Sequence, residues 1–168
     1  MDDNSHNFVL VTTVDEIETV VALAKIIWVE HYSKIIGLEQ VNYMLGIFLS
    51  KAAIQDDIQN KRFKYYLQQH DGQNVGYLAF QIQDDSLFLS KLYILSSQRK
   101  QGLGAGALAF ICSQAARSNA TRINLTVNKH NTGSIAAYER IGFRTTGDIK
   151  ADIGNGFYMD DLAMEWRF

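Results

Sequence analysis

Two short stretches of this sequence carry residue types that can hold a ligand. In Arg99-Lys100-Gln101-Gly102-Leu103-Gly104-Ala105-Gly106, three glycines fall within five positions beside two cations. Glycine lets the main chain approach a guest closely and turn its N–H groups inward. A helix starting there adds N–H groups without partners and the positive end of its dipole. A pyrophosphate is the guest this combination suits; the plain alternative is an unliganded helix start. The second stretch is Val127-Asn128-Lys129-His130-Asn131, followed by Tyr138-Glu139-Arg140-Ile141-Gly142-Phe143. A strand ending in polar amides before a helix is an edge for hydrogen-bonding an extended, pantetheine-like arm. Tyr138 taken alone reads as a half-buried packing tyrosine. Ser134 reads equally as a phosphate contact or as a helix-start residue.

Other chemistries are excluded by what is missing. A Walker loop ends in Gly-Lys-Ser/Thr, whereas Gly106 is followed by Ala107-Leu108. A dinucleotide fingerprint wants an acid about 20 residues on, and the first acid after the loop is Glu139. Four scattered histidines show no ligand spacing, so no metal is expected. The single cysteine, Cys112, cannot form an internal disulfide; it shares an apolar face with Leu108 and Ala115-Ala116 and is expected to be buried and inert.

Charge is distributed unevenly. Ser86 to Tyr138 holds six bases (Lys91, Arg99, Lys100, Arg117, Arg122, Lys129) and no acid, in a chain whose formal charge is −2. This is either chance clustering on solvated faces or a central module for a polyanion within an acidic surround. The near-neutral total argues against nucleic acid as a partner, and no apolar run reaches the roughly 18 residues of a membrane span. The acidic start Met1-Asp2-Asp3-Asn4 is unlike a signal peptide. The expectation is a cytoplasmic protein of one domain over 1–168, with a core large enough to stand without disulfides.

The elements that must position these residues follow from pattern. Phe8–Val11 reads as a strand. Thr13 and Glu16 have capping-box spacing, and Ile17, Val20, Val21, Ala24, Ile27 and Trp28 recur at helical period up to Gly37. Leu38–Phe48 is a second helix. Ser50 opens a third, with Ala53, Ile54 and Ile58 inward and Asp56-Asp57 toward water. Lys64–Gln69, Val75–Ile82 and Leu87–Ile94 are strands joined by turns. Then come helix Gly104–Ser118, strand Arg122–Val127, helix Thr132–Ile141 closed by Gly142, and strands Phe143–Ile153 and Phe157–Trp166. The order is βαααβββαβαββ, a mixed α/β domain with one crossover.

On these motifs the sequence resembles the GNAT superfamily of acyl-CoA-dependent N-acyltransferases. Arg99-x-x-Gly102-x-Gly104 looks like its pyrophosphate loop; Val127-Asn128, Asn131, Ala136, Tyr138 and Gly142-Phe143 look like its second cofactor motif. Within that family it is similar to bacterial PaiA-type polyamine acetyltransferases in Glu39-Gln40-x-x-Tyr43-Met44-Leu45, Ser90-Lys91-Leu92-Tyr93 and Asp152-Ile153-Gly154-x-Gly156-Phe157-x-Met159-Asp160-Asp161. It departs at Leu162-Ala163-Met164-Glu165-Trp166, where such proteins read Tyr-x-Met-Glu-Lys.

The resemblance implies a mostly antiparallel sheet of about seven strands with a central βαβ crossover, flanked by about four to five helices. It implies acetyl-CoA as co-substrate, lying between Leu87–Ile94 and Ile123–Val127. Backbone groups of Leu92, Tyr93 and Ile94 would bind the pantetheine, supported by Asn128 and Asn131. The N–H groups of Gln101, Gly102, Leu103, Gly104 and Ala105 would take the pyrophosphate beside Arg99, with Ser134 near the phosphates and the 3′-phosphate near Lys100 or Lys129. Tyr138 would protonate the departing sulfur, and a backbone N–H at Tyr93 or Ile94 would meet the oxyanion. The acceptor would be a small amine, polyamine-like, held by His31, Tyr32, Glu39, Tyr43 and Asp160. Asp161 and Trp28 are further candidates, although Trp28 also fits the core, and strand alternation turns one of the two aspartates outward. Glu30, His31, Glu39 or a water chain remain open as base. Competing readings are a protein or peptide N-acetyltransferase and a non-catalytic acyl-CoA-binding module. A homodimer is common among such proteins.

Overall fold

Hydrophobic period sorts the chain into strands that alternate and helices that repeat every three to four residues. The computed structural model describes residues 6–168; the acidic start Met1-Asp2-Asp3-Asn4 lies outside the described residues. The elements are β1 (Asn7–Leu10), α1 (Val14–Ile36), α2 (Leu38–Phe48), α3 (Lys51–Asn60), β2 (Phe63–His70), β3 (Gln73–Gln83), β4 (Ser86–Ile94), α4 (Leu103–Arg117), β5 (Arg122–Asn128), α5 (Thr132–Ile141), β6 (Arg144–Gly154) and β7 (Phe157–Arg167). A short 3₁₀ turn, Ser96–Gln98, precedes the glycine loop. The seven strands form one sheet in the order β1-β2-β3-β4-β5-β7-β6. Only β4 and β5 are parallel, joined by the expected crossover through α4. No helix among the described residues is long and apolar enough to cross a membrane.

Local chemistry fixes the ends. The Glu16 amide donates to Thr13 Oγ1 at 3.2 Å and the Glu16 carboxylate accepts from the Thr13 amide at 2.9 Å, a closed capping box. The β2–β3 turn places Asp71 and Gly72 at φ 49° and 75°, the pair of positive angles that matches strand twist in a two-residue hairpin.

The sheet has two covered faces. Tyr65, Leu67, Tyr77 and Ala79 pack under α1, α2 and α3. Leu78, Phe80, Leu89, Ile123 and Leu125 pack against α4, with Ile135 and Tyr138 of α5 at the margin. Alternation along β2 and β3 therefore builds two cores from one sheet.

One irregularity positions the site. β4 pairs with β5 only from Ser86 to Leu89, against Arg122 to Leu125. Just beyond, Leu89 faces Phe80 while Lys91 faces Ala79, so Ser90 is an extra residue in β4. Such a bulge bends and twists its strand, and here β4 leaves β5 and opens the centre of the sheet. The far end of β4 presses on β3: a Cβ on Gly76 would collide with the Tyr93 carbonyl oxygen, so only glycine fits there.

Two expectations are corrected. Asp57 does not face water. It is buried and accepts hydrogen bonds from Tyr65 Oη at 2.6 Å and Lys61 Nζ at 3.1 Å, because α3 lies on β2 and position 57 shares the inner face with Ile54, one turn earlier. Cys112 is half-buried rather than buried, as the fully buried face of α4 is Leu103, Ala107, Ile111 and Ala115; burial still pushes its thiol up.

Candidate active site

Where β4 and β5 part, a cleft of about 840 Å³ passes through the sheet, lined by α1 and α2 on one side and by α4 and α5 on the other. Its α4 half has the features an anion needs. Gly102 caps α4 at φ 76° with no side-chain cap, and Lys100 also has a positive φ of 64°. The Gly106 amide bonds back to the Gly102 carbonyl, which leaves the amides of Leu103, Gly104 and Ala105 without helical partners. A Cβ at Gly102 or Gly104 would meet open space, so the loop is not glycine-rich for internal packing at these positions.

The cations separate into two groups. Arg122 pairs with Asp85 and Glu165, Lys129 with Asp160 and Asp148, and Lys91 lies 3.9 Å from Asp57. Arg99 and Lys100 line the cleft and form no ion pair among the described residues. Of the two candidates for the 3′-phosphate, Lys129 is thus held by Asp160 at 3.1 Å, outside the cleft lining. These features fit a pyrophosphate-bearing ligand at Arg99–Gly104.

Leu92, Tyr93, Ile94, Asn128 and Ser134 also line the cleft. Gln101 and Ala105 do not: the Gln101 side chain folds back on Gln98 at 3.3 Å, and Ala105 has only an amide without a helical partner. Asn131 lines the cleft but is committed elsewhere. Its Oδ1 accepts from His31 Nε2 at 3.1 Å, and its Nδ2 donates to Tyr32 Oη at 3.3 Å, which lies 3.3 Å from Tyr93 Oη. It therefore ties the start of α5 to α1 and β4, with one of its two Nδ2 hydrogens engaged by Tyr32. Burial, with the Arg99 charge adding, holds the His31 imidazole below its ordinary range against the Asn131 bond.

Tyr138 enters from α5, its ring 5.3 Å from Phe143. Burial, then the neighbouring Tyr32, pushes its phenol up to about 12, so it holds its proton at neutral pH. Trp28 is core and cleft wall at once: it is 7% exposed and donates to Tyr77 Oη at 3.1 Å.

The α1–α2 half of the cleft differs from the expected acceptor pocket. His31 and Tyr32 face it; Glu39, Tyr43 and Asp160 do not. Glu39 is exposed. Tyr43 donates to the Ile153 carbonyl and packs on Phe157. Asp160 points to the α4 side and binds Lys129, while Asp161 turns into the cleft, as alternation along β7 requires. The helix phase explains the rest. Tyr32 and Ile36 of α1, and Gln40, Met44 and Phe48 of α2, line the cleft at four-residue spacing, one turn apart within each helix. That spacing is visible in the sequence; the polar residues Glu39 and Tyr43 lie one position before it. Glu30, a candidate base, accepts from Ser96 Oγ at 2.7 Å on the surface.

Comparison with known proteins agrees with this geometry. The acetyltransferase (GNAT) family model matches residues 39–143. An uncharacterized N-acetyltransferase of Mycobacterium bovis is 32% identical over 110 residues, 65% of this chain and 70% of the relative. The crystal structure of a PaiA N-acetyltransferase from Thermoplasma acidophilum in complex with coenzyme A superposes with a TM-score of 0.81 at 17% identity, over 98% of this chain and 99% of that one. Arabidopsis thaliana Naa50 in complex with a CoA-peptide bisubstrate analogue gives 0.54 at 21% identity, over 62% of this chain and 72% of the other. With more than half of its length matched to one family on a shared fold, this protein belongs to the GNAT acetyltransferases: it is an acyl-CoA-dependent N-acetyltransferase, and acetyl-CoA is its co-substrate.

Proposed function

We propose that the protein acetylates a primary amine of a small molecule by direct attack on the acetyl-CoA thioester, with Tyr138 as general acid. The observation that carries this reading is the Tyr138 phenol, brought from α5 into the gap where β4 and β5 separate and protonated at neutral pH. A departing thiolate needs a proton from a fixed donor, and positioned acids of this kind contribute about 10²–10⁴-fold. The first-turn amides of α4 with Arg99 and Lys100 hold the phosphates, Leu92 to Ile94 take the pantetheine as an added half-strand, and a backbone N–H at Tyr93 or Ile94 meets the oxyanion. The cover made by α1 and α2 supports a compact acceptor. For a polyamine-like acceptor, the supporting carboxylates reduce to Asp161. A peptide acceptor is the second reading, supported by the likeness to Naa50 with its bisubstrate analogue.

Tyr138→Phe tests the mechanism. Release of CoA with an amine panel is expected to fall by about 10²–10⁴ in kcat, while the acetyl-CoA dissociation constant stays within about twofold by calorimetry. Wild-type turnover in the variant would remove Tyr138 as the acid. Tight acetyl-CoA binding with no turnover of any amine or peptide by the wild type would favour a binding module.

A further inference from the structure

Among the described residues, Asp161 is the one carboxylate in the cleft lining. It is 7% exposed and its side chain makes no hydrogen bond or ion pair there. Its oxygens are not sealed in the interior but open to the cleft, so a carboxylate that no protein group satisfies is left for a ligand to reach. The groups facing it supply no cation. Tyr32 of α1 is near enough to feel its charge; Asn128 of β5 and Ile149 of β6 are its register partners; Asp160 is its neighbour on β7. The ammonium of Lys129 lies on the opposite side of the strand, on Asp160. The α1–α2 side of the same cleft is mostly apolar, with Ile36, Met44, Phe48, Phe88 and Met159 in the wall beside Gln40, Ser90 and the Lys91 cation.

We propose that Asp161 is the acceptor's anchor and proton acceptor: it pairs with the single ammonium of a monoamine whose remaining body is apolar. This deepens the amine-acetylation reading and rests on it. The ammonium passes one proton to the Asp161 carboxylate. The freed lone pair forms the N–C bond as the thioester C–S bond breaks, and sulfur leaves with the Tyr138 proton. The second nitrogen proton returns to the Tyr138 oxygen, and the Asp161 proton passes to solvent, so one amide, one thiol and one proton result. Burial and then Asp160 raise the Asp161 carboxyl to about 6, basic enough to receive a proton near neutrality. A polyamine would leave further ammonium groups beside apolar side chains and the Lys91 cation, with no second carboxylate in the lining among the described residues, which is unfavourable.

Steady-state kinetics with phenethylamine and spermidine, on wild type and Asp161→Asn, test this. Expected are at least tenfold higher kcat/KM for phenethylamine than for spermidine, at least a hundredfold loss of the former in the variant, an acetyl-CoA dissociation constant changed less than twofold, and loss of the acid limb near pH 6. Unchanged kcat/KM and limb in the variant, or a preference for spermidine, would overturn the proposal. Calorimetry of phenethylammonium with the CoA-saturated protein separates the two readings. Binding at least tenfold weaker in the variant supports the anchor even if no amine is turned over, an outcome that would remove the acetylation reading alone. Equal binding in both proteins would remove the anchor.

Discussion

Replacing Asp57 by alanine would strand two buried groups at once. The Tyr65 hydroxyl donates to it at 2.6 Å, and the nearly enclosed Lys91 ammonium lies 3.9 Å away over the Tyr65 ring. Burial lowers the Lys91 ammonium from its ordinary range and the Asp57 charge opposes this. Removing one member of such a buried set costs about 3–5 kcal/mol, so Asp57→Ala is expected to lower the urea midpoint by that equivalent; a loss under about 1 kcal/mol would mean that water already serves the pair. At this scale the sequence was legible in kind and not in direction. It offered Asp56-Asp57 and Asp160-Asp161 as neighbouring carboxylates, and alternation guaranteed that one of the latter faced outward. Which one faced the cleft depended on the phase of β7 against β5, where Asn128 meets Asp161, and that phase is set by packing across strands.

The glycine loop makes its prediction at the scale of the element. Gly104 is the second residue of α4, with open space where a Cβ would point. Alanine there raises helix propensity by up to about 1 kcal/mol, but puts a methyl group into the space assigned to the phosphates. Gly104→Ala is therefore expected to keep or raise the melting temperature while weakening acetyl-CoA at least about tenfold, a loss of about 1.4 kcal/mol, by calorimetry. Unchanged affinity would move the pyrophosphate off this helix start. The elements themselves were readable because their signals are local: the Thr13–Glu16 box, the Gly37 and Gly142 ends, the Asp71-Gly72 turn. The acceptor face of α1 and α2 was less so, since chemistry-bearing residues drew attention to Glu39 and Tyr43. The four-residue stripe through Gln40 and Met44 decides which side faces inward.

Across the whole molecule, the cleft weakens the fold that carries it. The Asp161 carboxyl is raised from 3.8 to about 6 on folding, so the folded state favours its protonated form. The stability this gives is complete below the unfolded value and is lost as pH rises through about 6. At pH 8 the charged group weighs against the unliganded fold by up to about 3 kcal/mol. Asp161→Asn is accordingly expected to be more stable than wild type at pH 8 in urea unfolding, with the difference shrinking toward zero near pH 4. A wild type more stable at pH 8 would reveal an internal partner for the carboxylate. Such a trade between stability and a working site is general.

The order of elements and the glycine loop came from the sequence by itself, because caps, turns, periodicity and glycine spacing act over a few residues; the acid role of Tyr138 came only with the family resemblance. The opening between β4 and β5, the commitment of Asn131 to His31 and Tyr32, and the choice of Asp161 over Asp160 came only with the tertiary structure. Each depends on register or contact between segments far apart in the chain, and no local pattern encodes that phase.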